Sequence, residues 1–186
     1  MKKIFKRIVI GSCAMMAISL GAIAQKTGAE TNNVNLSYSV NPSMTLSLSG
    51  SATATLDPKS KVEGTTSEGA TPFYTRATIV TNSVSGYTLT VKDKDSVTSL
   101  KHSSSTSDAI PAITGTAITS GTPGWGYKKS GDTNWKGITT SAVAVASSDN
   151  YSSGAQVVDV VYGVATGENT VAGSYSDTIV YTATTK

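Results

Sequence analysis

The chain has little sulfur, few aromatic rings and few charges. Its 186 residues include one cysteine, one histidine, two tryptophans and two phenylalanines, and 15% of them are charged. A single cysteine excludes an internal disulfide framework, and a single histidine leaves few nucleophile-and-base pairs or metal clusters for catalysis. We therefore expect a protein that is not an enzyme and that needs no cofactor or metal.

The N-terminus has the pattern of an export signal. Residues 1–7 are basic, residues 8–24 are apolar and nearly uncharged, and Ala24 ends a small-x-small triplet before Gln25. This order of basic start, apolar run and small-residue site is typical of a Sec-type signal peptide. We predict a signal over residues 1–24, cleaved between Ala24 and Gln25, and a protein that is secreted or held at the cell surface.

Cys13 offers a second cleavage site. Residues 10–13 (Ile-Gly-Ser-Cys) resemble a lipoprotein box, in which Cys13 would carry a lipid. Very few residues lie between Arg7 and this box, whereas a signal needs about 7–15 apolar residues before its cut. The Ala24 site is favoured for that reason, and lipidation at Cys13 stays the alternative.

Removal of the signal changes the net charge of the chain. The signal holds four of the 15 basic residues and none of the 12 acidic ones, so 11 bases and 12 acids remain and the net charge becomes −1 in place of +3. No sustained basic stripe is left, and we predict no binding to nucleic acid. The partners we expect are glycans or proteins of the cell envelope or of a host surface.

Short strands are the dominant local pattern after the signal. β-Branched and aromatic residues alternate with Ser and Thr, and Gly, Asn, Asp and Pro separate the runs. The predicted strands cover residues 34–40, 44–48, 52–56, 73–81, 87–91, 96–100, 112–118, 124–129, 133–138, 143–145, 156–165 and 174–184. We predict an all-β fold, namely a single antiparallel β-sandwich of Ig-like type with about eight or nine strands.

The domain boundaries follow from the same pattern. Residues 25–32 are predicted to form a flexible N-terminal segment, and residues 33–186 the sandwich domain. Residues 57–72 are polar and rich in turn formers, which predicts a loop.

Two hairpins are predicted within the domain. The first joins residues 73–81 to residues 87–91, with Ala77 and Ile79 on one arm and Leu89 on the other facing inward. The second joins 124–129 to 133–138 through a Ser-Gly-Asp turn and holds both tryptophans. Residues 156–165 form a longer apolar run, as expected for a central strand with both faces partly covered.

The second hairpin supplies the candidate ligand-binding residues Trp125, Tyr127, Asn134, Trp135 and Lys136. Trp125 and Tyr127 are two apart and share a face. Exposed rings there would stack on sugars, and Asn134 and Lys136 would bind hydroxyls. The alternative is that the rings fill the core, because bulky side chains are scarce in this chain. Trp135, with polar neighbours on both sides, is the ring we expect at the surface.

Other polar residues have simpler interpretations. Asp93 with Asp95, and the pairs at 149–150 and 168–169, would offer oxygens to calcium, but none has the dense spacing of a calcium loop. Asp and Asn are also favoured in turns, where they bond their own backbone. His102 lies among serines with Asp108 nearby, and we interpret it as a loop histidine and not as part of a catalytic triad.

Residues 33–48 form a long alternating segment near the start of the mature chain. Such a segment pairs within its own domain or completes the sheet of a neighbouring copy. Self-association through residues 33–48 is therefore a further expectation.

Three stretches resemble those of known surface proteins. Residues 85–91, the aromatic hairpin at 124–138 and residues 171–184 are similar to small secreted β-sandwich proteins of Gram-positive and Saccharibacteria-like bacteria. The last stretch also resembles the closing strand of WxL-domain and fimbrial-type modules, although no Trp-x-Leu motif occurs. The resemblance implies a non-enzymatic role in adhesion or in an envelope or fibre structure, and the alternative is a carbohydrate-binding module that uses the aromatic hairpin.

Overall fold

The computed structural model describes residues 37–51, 61–63, 73–151 and 153–186. Within these residues the chain forms strands and no helix, which confirms the predicted all-β class, and no helix there is suited to cross a membrane. The described strands are β1 Met44–Ser51, β2 Lys61–Glu63, β3 Tyr74–Thr81, β4 Tyr87–Asp93, β5 Leu100–His102, β6 Ala109–Ile110, β7 Gly124–Lys129, β8 Val143–Ser148, β9 Gln156–Ala165, β10 Tyr175–Ser176 and β11 Ile179–Thr185.

Several predictions lie outside the described residues. These are the signal over residues 1–24 with its cleavage between Ala24 and Gln25, the segment 25–32, and the strand at 52–56.

The first sheet is built around β9. On one side β9 pairs with β3 and, further along, with β2, and on the other side it pairs with β7. β3 pairs in turn with β1, so that β1 is an edge strand. All these pairings are antiparallel. From Val160 onward both faces of β9 are buried, which confirms the prediction of a central strand covered on both sides.

The second sheet has the order β11-β4-β8, and the third, much smaller sheet has the order β10-β5-β6. In β4 the buried and outward residues alternate without interruption from Tyr87 to Asp93. β8 pairs with β4 across a register shift between Leu89 and Thr90. A β-bulge of this kind increases the local twist of a strand.

The first and second sheets share one hydrophobic core. Ile79 of β3 and Val160 of β9 are fully buried in it from one side, and Leu89 and Val91 of β4 from the other. Residues Val40–Lys186, which include all of these strands, form one compact unit. Antiparallel sheets that face each other over a shared core fit a β-sandwich.

The predicted hairpin between residues 73–81 and 87–91 is wrong. β3 belongs to the first sheet and β4 to the second, and the turn between them carries the chain from one sheet to the other. Gly86 ends this turn with φ 76°, and its N–H donates to the carbonyl of Ser83. The predicted inward residues are nevertheless buried, because two strands that face each other across a core have the same alternation as two paired strands.

Other strand predictions need correction. Residues 37–40, at the end of the predicted strand 34–40, are not in a strand, and Tyr38 is 93% exposed. The predicted closing strand 174–184 is two strands in different sheets, interrupted at Asp177, whose carboxylate accepts the N–H of Thr178.

The short strands β5 and β6 do not match the predicted segments 96–100 and 112–118. These segments are bends and irregular backbone, apart from Leu100 in β5 and the isolated bridge between Ala112 and Trp125. The second predicted hairpin is reduced to β7 and one antiparallel bridge, in which Tyr127 and Lys136 exchange backbone hydrogen bonds of 2.8 Å.

Candidate functional site

The aromatic hairpin faces the interior with two of its rings. Trp125 and Tyr127 share one face of β7, as predicted, and they are 4% and 2% exposed. Both belong to the main core, and the indole Nε1–H of Trp125 donates to the carbonyl of Thr98 at 3.0 Å. These rings are core residues and do not offer a flat surface to a sugar.

Trp135 is also buried, and the expectation that it lies at the surface is wrong. Its ring is 5% exposed in a second, smaller cluster with Ile118, Val161 and Ala165. The ammonium of Lys128 lies 4.7 Å from the centre of the ring, which is the geometry of a cation–π interaction. The polar neighbours of Trp135 misled the prediction, because the residues that cover its ring are distant in sequence.

A glycine makes room for the Trp135 ring. A Cβ atom added to Gly163 of β9 would lie 2.5 Å from the Cδ1 atom of Ile118 and 2.8 Å from the Trp135 ring. A side chain at this position would require Ile118 or the Trp135 ring to shift, since real contacts of Cβ atoms are longer. Asn134 and Lys136 are exposed on either side of the buried ring. The five predicted ligand-binding residues therefore do not form one surface: three rings are buried, in two separate clusters.

His102 is held by the backbone. Its Nδ1 atom accepts the N–H of Ser104 at 3.1 Å, so that Nε2 carries the proton and donates to the carbonyl of Ala172 at 3.2 Å. The hydroxyl of Ser105 bonds the carboxylate of Asp108 and not the imidazole. The neighbours of His102 in sequence thus do not assemble into a triad. The imidazole ring instead holds the loop that precedes β10 through its hydrogen bond to Ala172.

The acidic pair of Asp93 and Asp95 forms a turn. Asp93 Oδ1 accepts the N–H of Asp95 at 2.7 Å, and Asp95 Oδ1 accepts the N–H of Val97 at 2.7 Å. Asp95 also pairs with Lys101 at 2.6 Å, which lowers the pKa of Asp95. Among the described residues no group of three or more acidic, histidine or cysteine side chains is placed to hold a metal ion.

A second carboxyl group lies beside Asp93, and the sequence analysis missed it. Asp177, between β10 and β11, interacts with Asp93, and burial together with that negative neighbour raises the pKa of Asp177 to about 6. The Oδ2 atoms of both residues are buried, and neither has a hydrogen-bond partner in the described part of the chain. The only signal in the sequence for this pair of carboxyl groups was the alternation of β4, which puts Asp93 at an inward position after Leu89 and Val91.

β1 presents an unpaired backbone edge. One side of β1 pairs with β3 from Met44 to Ser51, and no described residue pairs with its other side. Met44 and Leu46 pack against the core, whereas Leu48 is 49% exposed. Before β1, Val40 is 71% exposed. The N–H of Ser43 donates a hydrogen bond to the side-chain Oδ1 of Asn82.

Comparison with known proteins gives no family for this chain, because no protein-family model and no curated protein sequence matches it.

Proposed function

We propose that this chain is an exported, non-enzymatic β-sandwich of Ig-like type. It works at the cell surface, in adhesion or as part of an envelope or fibre, and copies of it associate through β1. The proposal includes the signal peptide over residues 1–24. It rests above all on the edge of β1 with which no described residue pairs, since a free edge is a template for a strand of another chain.

The segment before β1 has the right character for such a strand. Val34, Leu36, Tyr38 and Val40 alternate with polar residues. Tyr38 and Val40 are 93% and 71% exposed, an unusual position for two large apolar side chains that alternate. Strand addition gives affinity through main-chain hydrogen bonds and specificity through alternate side chains that enter pockets. A second copy of this chain is the partner we propose for the edge.

A non-enzymatic role is supported by the state of the only histidine. Both ring nitrogens of His102 bond the backbone, at Ser104 and Ala172, and are not available as a general base. Carbohydrate binding by the hairpin is not proposed, because Trp125, Tyr127 and Trp135 are buried.

The test is self-association of the chain that starts at Gln25, measured by sedimentation velocity over a hundredfold range of concentration. We expect oligomers that grow with concentration and that disappear in the double variant Tyr38→Ser/Val40→Ser. Both side chains are exposed, so the variant should keep the circular dichroism and the unfolding transition of the parent.

The control is the double variant Val97→Ser/Val157→Ser, which also removes two exposed apolar side chains, 44% and 56% exposed, outside β1 and the segment before it. It should associate as the parent does. A parent that stays monomeric at the highest concentration would contradict the proposed assembly through β1. An equal loss of self-association in both double variants would contradict it as well.

A further inference from the structure

A large cavity lies beside the core. Its volume is about 980 Å³, and it is bounded by the end of β1, by β3 and β9, by the start of β11 and by the loop of residues 166–178. Its inner wall includes three buried aromatic rings, those of Phe73, Trp125 and Tyr162, together with buried aliphatic side chains such as Ile110 and Val164. Both the volume and the apolar wall are typical of sites for small molecules.

The rim of the cavity is exposed to solvent. Leu48 of β1 and Val171 of the loop both line the cavity, and they are 49% and 44% exposed. Loop residues 172–174 also line the cavity and are exposed. A ligand therefore has access from solvent to the buried rings, past the exposed apolar side chains of the rim.

The wall of the cavity contains one charged residue. Among the described residues that line it there is no Lys, Arg or His, and Asp177 is the only acid. Asp177 Oδ1 accepts the N–H of Thr178 at 2.6 Å, whereas Oδ2 is buried and has no N–H donor within the described residues. The side chain that interacts with Asp177 is the carboxyl group of Asp93, whose Oδ2 is also buried without a donor. The ammonium of Lys101 interacts electrostatically with Asp177 and Asp93, but its ion pair is with Asp95, at 2.6 Å.

We propose that this cavity binds a small organic ammonium ion with an apolar body, whose ammonium group pairs with the carboxylate of Asp177. A buried carboxylate oxygen without a donor is costly, and an ammonium group supplies up to three donors to Asp177 Oδ2 and to the neighbouring Asp93. The aromatic rings add a second attraction, because the face of a ring attracts cations. The apolar body of the ligand fills space beside Phe73 and Trp125. The end of β1 borders this site, but the binding proposal rests on the cavity and on Asp177 and not on assembly through β1, so either proposal can fail without the other.

The two tryptophans permit a direct test. Trp125 lines the cavity, whereas Trp135 lies in the other cluster. We would titrate the protein with 2-phenylethylammonium and, separately, with the neutral analogue 2-phenylethanol, and would follow the two indole N–H signals by NMR at pH 7.5. We expect the ammonium ion to shift the Trp125 signal and not the Trp135 signal, and to bind about tenfold more tightly than the alcohol.

The variant Asp177→Asn removes the charge with almost no change in shape. We expect it to bind the ammonium ion about tenfold more weakly and the alcohol unchanged. The matched control is Asp149→Asn, which alters a carboxylate whose side chain is 83% exposed and should bind both probes as the parent does. The parent should also bind the ammonium ion more weakly at pH 5 than at pH 7.5. Burial and the neighbouring carboxyl groups of Asp93 and Asp95 raise the pKa of Asp177 to about 6, with the ammonium of Lys101 also near, so Asp177 is mostly neutral at pH 5.

Four results would overturn the proposal. These are equal affinities of the parent for the two probes, no binding of either probe at millimolar concentration, shifts at Trp135 in place of Trp125, and undiminished ammonium binding by a folded Asp177→Asn protein. Equal affinities would mean a cavity for neutral apolar molecules. Absence of binding would mean that the cavity is filled by the protein itself.

Discussion

The phenol oxygens of Tyr162 and Tyr181 lie 2.5 Å apart and join the two large sheets across the core. Tyr162 belongs to β9 in the first sheet and Tyr181 to β11 in the second. Burial raises the pKa of both phenols, so both remain neutral hydroxyl groups that can donate and accept. This contact, with the hydroxyl of Thr75 of β3 bonded to both phenols, is a specific polar link between two sheets whose shared core is mostly apolar.

The first prediction concerns this link. Tyr181→Phe removes one hydroxyl and leaves that of Tyr162 with one partner fewer, at an expected cost of about 1–2 kcal/mol in the free energy of unfolding. Urea unfolding, followed by circular dichroism, measures the loss. Tyr162→Phe and the double variant complete a double-mutant cycle, in which we expect the double variant to lose less than the sum of the two single losses. Strictly additive losses would show that the two hydroxyls do not interact.

The second prediction concerns pH. The folded chain holds the pKa of Asp177 at about 6, above its ordinary value of 3.8, so between these values the folded state binds a proton that the unfolded state has released. The stabilising effect of that proton is complete below pH 3.8 and is lost as the pH rises through 6. Since Asp177 is only partly buried, we expect a loss of about 1 kcal/mol between pH 4.5 and 7.5, after allowance for solvent screening.

Comparison with Asp177→Asn isolates this effect from the other titrating groups. The variant should lack the loss that we assign to Asp177 and should be more stable than the parent at pH 7.5. Urea unfolding at several pH values provides the measurement, and Asp149→Asn, which changes an exposed carboxylate, should keep the pH dependence of the parent. A parent and an Asp177→Asn protein with parallel pH profiles would contradict the assignment.

The third prediction concerns the packing of Trp135. Gly163→Ala adds a methyl group that would lie 2.5 Å from Ile118 and 2.8 Å from the indole, so the second cluster must shift. We expect a loss of about 1–3 kcal/mol in the free energy of unfolding and a red shift of the tryptophan fluorescence. Gly115→Ala is the matched control, because nothing lies within 4 Å of its added Cβ atom. Equal stability of Gly163→Ala and the parent would mean that this packing is loose.

Much of the fold could be predicted from periodicity. The inward positions Ala77, Ile79 and Leu89 are buried as expected, and the run at 156–165 is a covered central strand. Pairing was not predictable in the same way, since β3 and β4 follow each other in the chain but lie in different sheets. An alternating pattern states which face of a strand is apolar and does not state whether its partner lies beside it or across the core.

The candidate site shows the same limit. The sequence identified the aromatic residues of the second hairpin but not their burial, because Trp135 is covered by Ile118 and Val161 from other parts of the chain. It also missed Asp177, which acquires its unusual environment only when the start of β11 is placed next to Asp93 at the end of β4.

The sequence by itself determined the all-β class and the inward face of most strands, because both depend on the two-residue period of a strand. Only the tertiary structure decided which sheet each strand joins, which edge stays unpaired, and which side chains meet in the cavity. The physical reason is that these features depend on contacts between residues far apart in the chain. Tyr162 with Tyr181, and Asp93 with Asp177, are brought together by the packing of whole strands, and no local pattern records that packing.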